Sequence, residues 1–96
     1  MNYLTLGIHY PKFEHSEDLL QATKKIVEVA RKQPGLVDTG VWLDKVQDRV
    51  IVLSLWESEA AAQAARPMLA PLVMELPFDQ WERKPAERMI NLTRVI

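Results

Sequence analysis

Ninety-six residues are enough for one domain around a single core, and so small a chain gains stability readily by self-association. Apolar residues make up 48% and charged residues 26%, which excludes a disordered chain, and a net charge of −1 gives no electrostatic footprint for nucleic acid or an anionic membrane. The absence of cysteine excludes disulfides, thiolate metal sites and a cysteine nucleophile.

The opening residues, MNYLTLGIHYP, alternate as a strand does and lack the basic region and apolar block of a secretion leader. No apolar run approaches the roughly 18 residues that span a bilayer. A cytoplasmic protein is the expectation. Within residues 3–10, Leu4, Leu6, Ile8 and Tyr10 point one way, and Tyr3, Thr5, Gly7 and His9 point the other. Pro11, which has no N–H to donate, ends this strand. Ser16 reads as the cap of a helix whose positive end is matched by Glu17 and Asp18. Leu19, Ala22, Thr23, Ile26, Val29 and Ala30 recur at helical spacing and predict one apolar stripe. Pro34-Gly35 stops the helix after Arg31 and Lys32.

Residues 36–46 read as a second strand, with Val37, Thr39, Val41 and Leu43 on one face. Gln47-Asp48 turns the chain into a third strand over residues 49–57, predicting a hairpin. That strand is apolar on both faces, with Ile51, Leu53 and Leu55 on one and Val50, Val52 and Trp56 on the other. Such a strand is covered on both sides, so it belongs in the middle of the sheet. Ser58 caps a second helix, and the alanines of residues 60–65 favour it. Pro67 and Pro71 are expected to break it into a piece ending near Arg66 and a short piece over residues 68–75. Residues 76–87 carry Pro77, Trp81 and Pro85 and read as an ordered connection into a last strand over residues 88–96. Residues 1–96 form a single domain with no repeat or internal boundary.

The order βαββαβ predicts a ferredoxin-like α+β fold, a four-stranded antiparallel sheet with both helices on one face. Two helices cover one side only, while the first and third strands carry large apolar residues on both. A second copy of the sheet is the simplest cover for the other side, and a homodimer with sheets face to face is expected.

Three places carry a resemblance: the helix opening at residues 16–30, the Pro34-Gly35-Leu36 turn, and LSLWESEAAAQAA from Leu53 to Ala65. There the chain resembles the antibiotic biosynthesis monooxygenase-like group of the dimeric α+β barrel superfamily. That group includes cofactor-independent oxygenases of aromatic polyketides, haem-degrading enzymes, quinol oxygenases and proteins without known activity. The resemblance implies a partner-facing apolar barrel and a ligand held between sheet and helices within each subunit. The aliphatic faces with Leu4, Leu6, Ile8, Ile51, Leu53 and Leu55 suit the barrel. The mixed faces with Tyr3, Thr5, Gly7, His9, Val50, Val52, Ser54 and Trp56 suit a pocket. Haem-degrading members use an asparagine on the first strand, a tryptophan in the second helix and a later histidine. This chain has Gly7 in the first neighbourhood, no tryptophan in the second helix and no histidine after His15, so that scheme is not expected.

The candidate catalytic residue is His9, one of two histidines, which as a general base would convert a phenol to the phenolate that reacts with dioxygen. A solvent-facing histidine at a strand end is the plainer reading of the same residue. Trp56 is a packing anchor first and a ring-stacking surface second. Tyr3, Thr5, Ser54 and Asn91 are candidates to orient a ligand through hydrogen bonds, or to be satisfied within the sheet. Arg66 is either a solvated charge beside Pro67 or a holder of an anionic substrate oxygen. Trp42 suits the pocket rim or the partner, Trp81 suits the partner, and His15 the surface. Glycines are isolated, so there is no phosphate loop or dinucleotide fingerprint, and two histidines across Pro11 make no zinc site. The expectation is a monooxygenase-like homodimer acting without cofactor or metal on a small planar phenolic or quinol molecule. A non-catalytic binding dimer or a structural module of the same fold is the alternative.

Overall fold

The computed structural model describes residues 1–96, the side chains of residues 88 and 89 excepted. In chain order the elements are β1 (Tyr3–His9), a 3-10 turn (Phe13–His15), α1 (Ser16–Ala30), β2 (Leu36–Asp44), β3 (Arg49–Trp56), α2 (Glu59–Met74), α3 (Phe78–Trp81) and β4 (Glu87–Thr93). The strands form one four-stranded sheet in the order β2-β3-β1-β4, every neighbour antiparallel. This is the expected ferredoxin-like α+β arrangement. The two strands with apolar residues on both faces, β1 and β3, lie in the middle.

The register assigns the faces. Tyr3, Thr5, Gly7 and His9 of β1 stand opposite Trp56, Ser54, Val52 and Val50 of β3, and Thr39 and Val41 of β2 continue the row beside Ser54 and Val52. Val50 packs with Leu19 of α1 and Phe78 of α3 in the core, joined by Leu20, Ile26, Val41, Val73, Leu76 and Trp81. The mixed face therefore lies under the helices. Leu4, Leu6 and Ile8 stand opposite Leu55, Leu53 and Ile51 on the other face, over which no helix packs among the described residues. On that face Trp42 is 61% and Leu92 47% exposed.

Four local expectations are corrected. β1 ends at His9, and Tyr10 follows it as a buried residue outside the strand. Ser16 is the first helical residue and not the cap: the preceding 3-10 turn already winds the chain, and its Oγ donates back to the Lys12 carbonyl at 3.3 Å. The buried stripe of α1 includes Val27, because this helix packs on β2 on one side and on α2 and α3 on another. Pro67 and Pro71 do not break α2, which is one helix from its Ser58 cap, whose Oγ accepts the Ala61 N–H at 3.1 Å. Both prolines are exposed, as is Gln63, so the carbonyls they leave unbonded are open to water. The connecting segment is ordered, as expected, and contains α3 with Phe78 buried. β4 ends at Thr93, and residues 94–96 lie beyond it.

A tight turn links α1 to β2. Gly35 has φ of 83°, and a Cβ on it would lie 2.5 Å from the Ala61 Cβ of α2. Gly35→Ala combines a left-handed backbone with a clash against a packed helix, and is expected to lower unfolding free energy by about 2 kcal/mol in urea denaturation.

A polar row crosses the open face at one end of the sheet. Arg49 pairs with Asp44 through Nη2 at 2.8 Å and Nε at 2.9 Å, while the Tyr10 hydroxyl donates to Glu87 Oε2. The Arg49 bond, with the Gln47 N–H, holds the Asp44 carboxyl below its usual range; the Glu87 bond and burial push the Tyr10 phenol above its usual one. The two signs bound a plateau. Asp44 stabilises the fold above its unfolded pKa, and that contribution is lost as pH falls through the lower folded value. Tyr10 stabilises it below its unfolded pKa, and that contribution is lost as pH rises through the higher folded value. Thermal melts from pH 2 to 11 are expected to show both arms, with Asp44→Asn flattening the acid arm and Tyr10→Phe the alkaline one.

Candidate functional site

The mixed face is built from side chains that first satisfy one another. Thr39 Oγ1 and Ser54 Oγ are 2.8 Å apart, and Thr39 also donates to the Leu53 carbonyl at 3.1 Å. Trp56 is 1% exposed, and its indole N–H donates to Thr5 Oγ1 at 3.0 Å. Ser54 and Trp56 thus form a floor and present little of themselves to a ligand. The covering is uneven. β3 is buried at Val50, Ser54 and Trp56, whereas Tyr3, Thr5 and Gly7 of β1 are half-buried and Asn91 of β4, opposite Thr5, is exposed. A strip along β1 and β4 is thus less deeply buried than the β3 side.

His9 stands at the far end of this strip and is 5% exposed. Its Nδ1 lies 3.2 Å from Glu82 Oε1, and its ring stacks on Phe78 with centroids 4.9 Å apart and planes at 29°. Phe78 meets Trp81 edge-on at 5.7 Å, so Trp81 serves the packing of its own chain. Glu82 is 8% exposed, and the same Oε1 accepts the Tyr10 N–H at 2.9 Å. A buried imidazole thus stands beside a buried carboxylate, the two group types that proton-handling pairs are made of. Glu82 was not legible as a partner of His9, because 73 positions separate them and the carboxylate follows a connection with no periodic signal. A chain return that brings residue 82 beside Pro11 supplies the contact.

The predicted site residues do not form one cluster. Tyr3 and His9 are six positions apart on one strand, about 20 Å at roughly 3.3 Å per residue, so no single ring touches both. Arg66 lies on the exposed side of α2 beside Pro67. Thr5, Gly7, His9 and Asn91 share one strip, with Trp56 beneath Thr5. Two openings lie elsewhere. One of about 420 Å³ sits between Leu20 of α1 and Leu43, Asp44 and Arg49 of the hairpin, and another of about 240 Å³ opens on the uncovered face beside Leu4, Leu55 and Leu92. Of the predicted residues, only Tyr3 borders either.

A four-stranded antiparallel sheet with its helices on one face defines the ferredoxin-like class of α+β domains. The family model of antibiotic biosynthesis monooxygenases matches residues 9–67, more than half of the chain, and the chain belongs to that family. Among solved structures, Rv0793 from Mycobacterium tuberculosis superposes with a TM-score of 0.82 at 10% identity, covering 100% of this chain and 97% of that one. PA3566 from Pseudomonas aeruginosa gives 0.77 at 14% identity, covering 99% and 95%. SnoaB, a cofactor-independent oxygenase from Streptomyces nogalater, gives 0.74 at 12% identity, covering 97% and 92%. At these identities the likeness is one of fold. No curated protein matches this chain in sequence. The family match stops at residue 67, short of Glu82.

Proposed function

We propose that each subunit binds one small planar phenolic or quinol molecule over Gly7 and oxidises it with dioxygen, the substrate itself supplying the electrons. The buried His9–Glu82 pair at the end of the strip carries this reading. Thr5 and His9 are about 13 Å apart on one face at roughly 3.3 Å per residue, and Gly7 between them has no side chain. A one- or two-ring molecule fits that interval. His9 would take the phenolic proton, Thr5 or Asn91 would orient the ring, and Trp56 would floor the pocket. With a phenol whose para carbon bears hydrogen, the phenolate gives up electrons to dioxygen, one oxygen atom enters at that carbon, the other leaves as water, and a quinone results. A quinol instead passes two electrons and two protons to dioxygen and leaves as quinone with hydrogen peroxide. Family membership and the fold of a cofactor-independent oxygenase support the reaction class. Arg66, on the exposed side of α2, has no part in this reading. A non-catalytic pocket is the second reading, favoured because Trp56 and Ser54 already spend their polar groups inside the fold.

The assembly belongs to the same proposal. Leu4, Leu6, Ile8, Ile51, Leu53 and Leu55 form an aliphatic face that its own chain leaves open, and a second copy would close it into a barrel. Among the described residues no helix is long and apolar enough to cross a membrane. Without a cysteine to staple it, such a dimer suits the cytoplasm.

Two experiments test the proposal. Tryptophan-fluorescence titration with phenols and quinols is expected to show saturable quenching that Gly7→Leu abolishes, with oxygen uptake in air lowered at least about 100-fold by His9→Ala. Full oxygen uptake by His9→Ala would remove the base assignment, and binding without uptake in the unaltered protein would select the second reading. Light scattering is expected to give twice the chain mass, and Leu53→Asp, a charge in the middle of the open face, to give a monomer.

A further inference from the structure

We infer that Glu82 is the positioning residue of His9, fixing its tautomer and ring orientation, and that Arg83 clasps Glu82 in place. The inference rests on His9 acting as the base of the proposed reaction. A carboxylate as buried as Glu82 loses several kcal/mol of hydration, so its place beside an imidazole is specified by compensating contacts. Three directions are fixed. Glu82 Oε1 lies 3.2 Å from Nδ1; on the ring face, Phe78 stacks at 4.9 Å; and the carboxylate oxygen is itself held by the Tyr10 N–H at 2.9 Å. A proton held at Nδ1 by the carboxylate would leave the basic lone pair of the neutral ring on Nε2.

The backbone around Glu82 is pinned on both sides. The Lys12 N–H donates to the Trp81 carbonyl at 2.7 Å, and the Arg83 N–H donates to the Tyr10 carbonyl at 2.9 Å. The Arg83 guanidinium donates to three carbonyls, Pro11 at 2.9 Å, Asp48 at 3.0 Å and Gln47 at 2.9 Å. One side chain thus ties the exit of β1 to the β2–β3 turn and sets residue 82 between them. Asp48 sits in that turn with φ of 52°. Lys84 and Arg83 lie over the Tyr10 ring, at 4.1 and 5.7 Å from its centroid, and keep the following residues on the same surface. These contacts join residues 10–12 and the β2–β3 turn to residues 81–84, which lie beyond the part of the chain that the family pattern matches.

The test uses p-nitrophenol, whose phenolate is yellow, together with nitrogen-15 NMR of the histidine rings in the intact protein. The unaltered protein is expected to bind the probe, raise its phenolate fraction and show His9 protonated at Nδ1. Glu82→Leu removes the acceptor at similar size, so the His9 ring is expected to lose its fixed Nδ1–H and show both tautomers, whereas Glu82→Gln, whose carbonyl oxygen still serves the Tyr10 N–H and Nδ1, is expected to keep it. In Glu82→Leu the phenolate ratio of the bound probe should fall about tenfold, the equivalent of one pKa unit, with affinity for the neutral phenol little changed. Glu82→Asp should restore the Nδ1–H tautomer in part, and Arg83→Gln should leave a mixture of the two. An unchanged His9 tautomer and an unchanged phenolate ratio in folded Glu82→Leu would overturn the assignment. Should the unaltered protein fail to ionise the probe, the proposed reaction falls by itself; the nitrogen spectra still decide whether Glu82 sets the tautomer.

Discussion

Two helices laid across a four-stranded sheet shield one of its faces, and in this chain the two central strands are apolar on both. β1 and β3 cannot satisfy that pattern with α1 and α2 alone, whichever way the sheet turns. The fold resolves it by division. The face with hydroxyls, a glycine, a histidine and a tryptophan goes under the helices, where a mixture of shapes packs against α1 and α3. The face with six aliphatic side chains at regular spacing lies on the side away from that core. A period of two along each strand makes the division complete, because a single slip of register would exchange every side chain between the two environments.

Satisfying polar groups under the helices then shapes the site. Thr39 with Ser54, and Trp56 with Thr5, close their hydrogen bonds within the layer, as buried polar groups must. α2 contributes mostly short side chains and two prolines on its water-facing side, and it lies lightly on β1 and β3. The strip along β1 and β4 is the less deeply buried part of the mixed face, and Gly7 lies along it.

The second half of the chain completes what the first begins. After α2, residues 78–83 return to the exit of β1, where α3 inserts Phe78 against Leu19 and Val50. That return delivers Glu82 to His9 and Arg83 to the hairpin turn, joining ends of the chain more than 70 residues apart. The same end of the sheet carries the row Asp44–Arg49 and Tyr10–Glu87 on its open side. Charge is thus concentrated at one rim, and the apolar middle of the open face is left free of it.

Much of this was legible in the residues. Alternation in β1 and β3 sorted their side chains into two faces and put β3 inside the sheet, because strand periodicity is local and strict. Ser58 announced its helix through a cap that needs only three residues of context. Where context reached further, local rules misjudged: Pro67 and Pro71 read as breaks, but their exposed setting lets water serve the carbonyls they leave. Ser16 read as a cap, but a 3-10 turn had already begun the winding. The site divided in the same way. His9, Thr5 and Gly7 could be placed on one face from spacing alone, since they belong to one strand. That Trp56 spends its N–H on Thr5, that Arg66 faces outward, and that Glu82 closes on His9 depended on how separate elements dock. The sequence by itself determined what each strand presents to either side; only the tertiary structure decided which distant side chains meet there, because those contacts are set by packing between elements and leave no period in the chain.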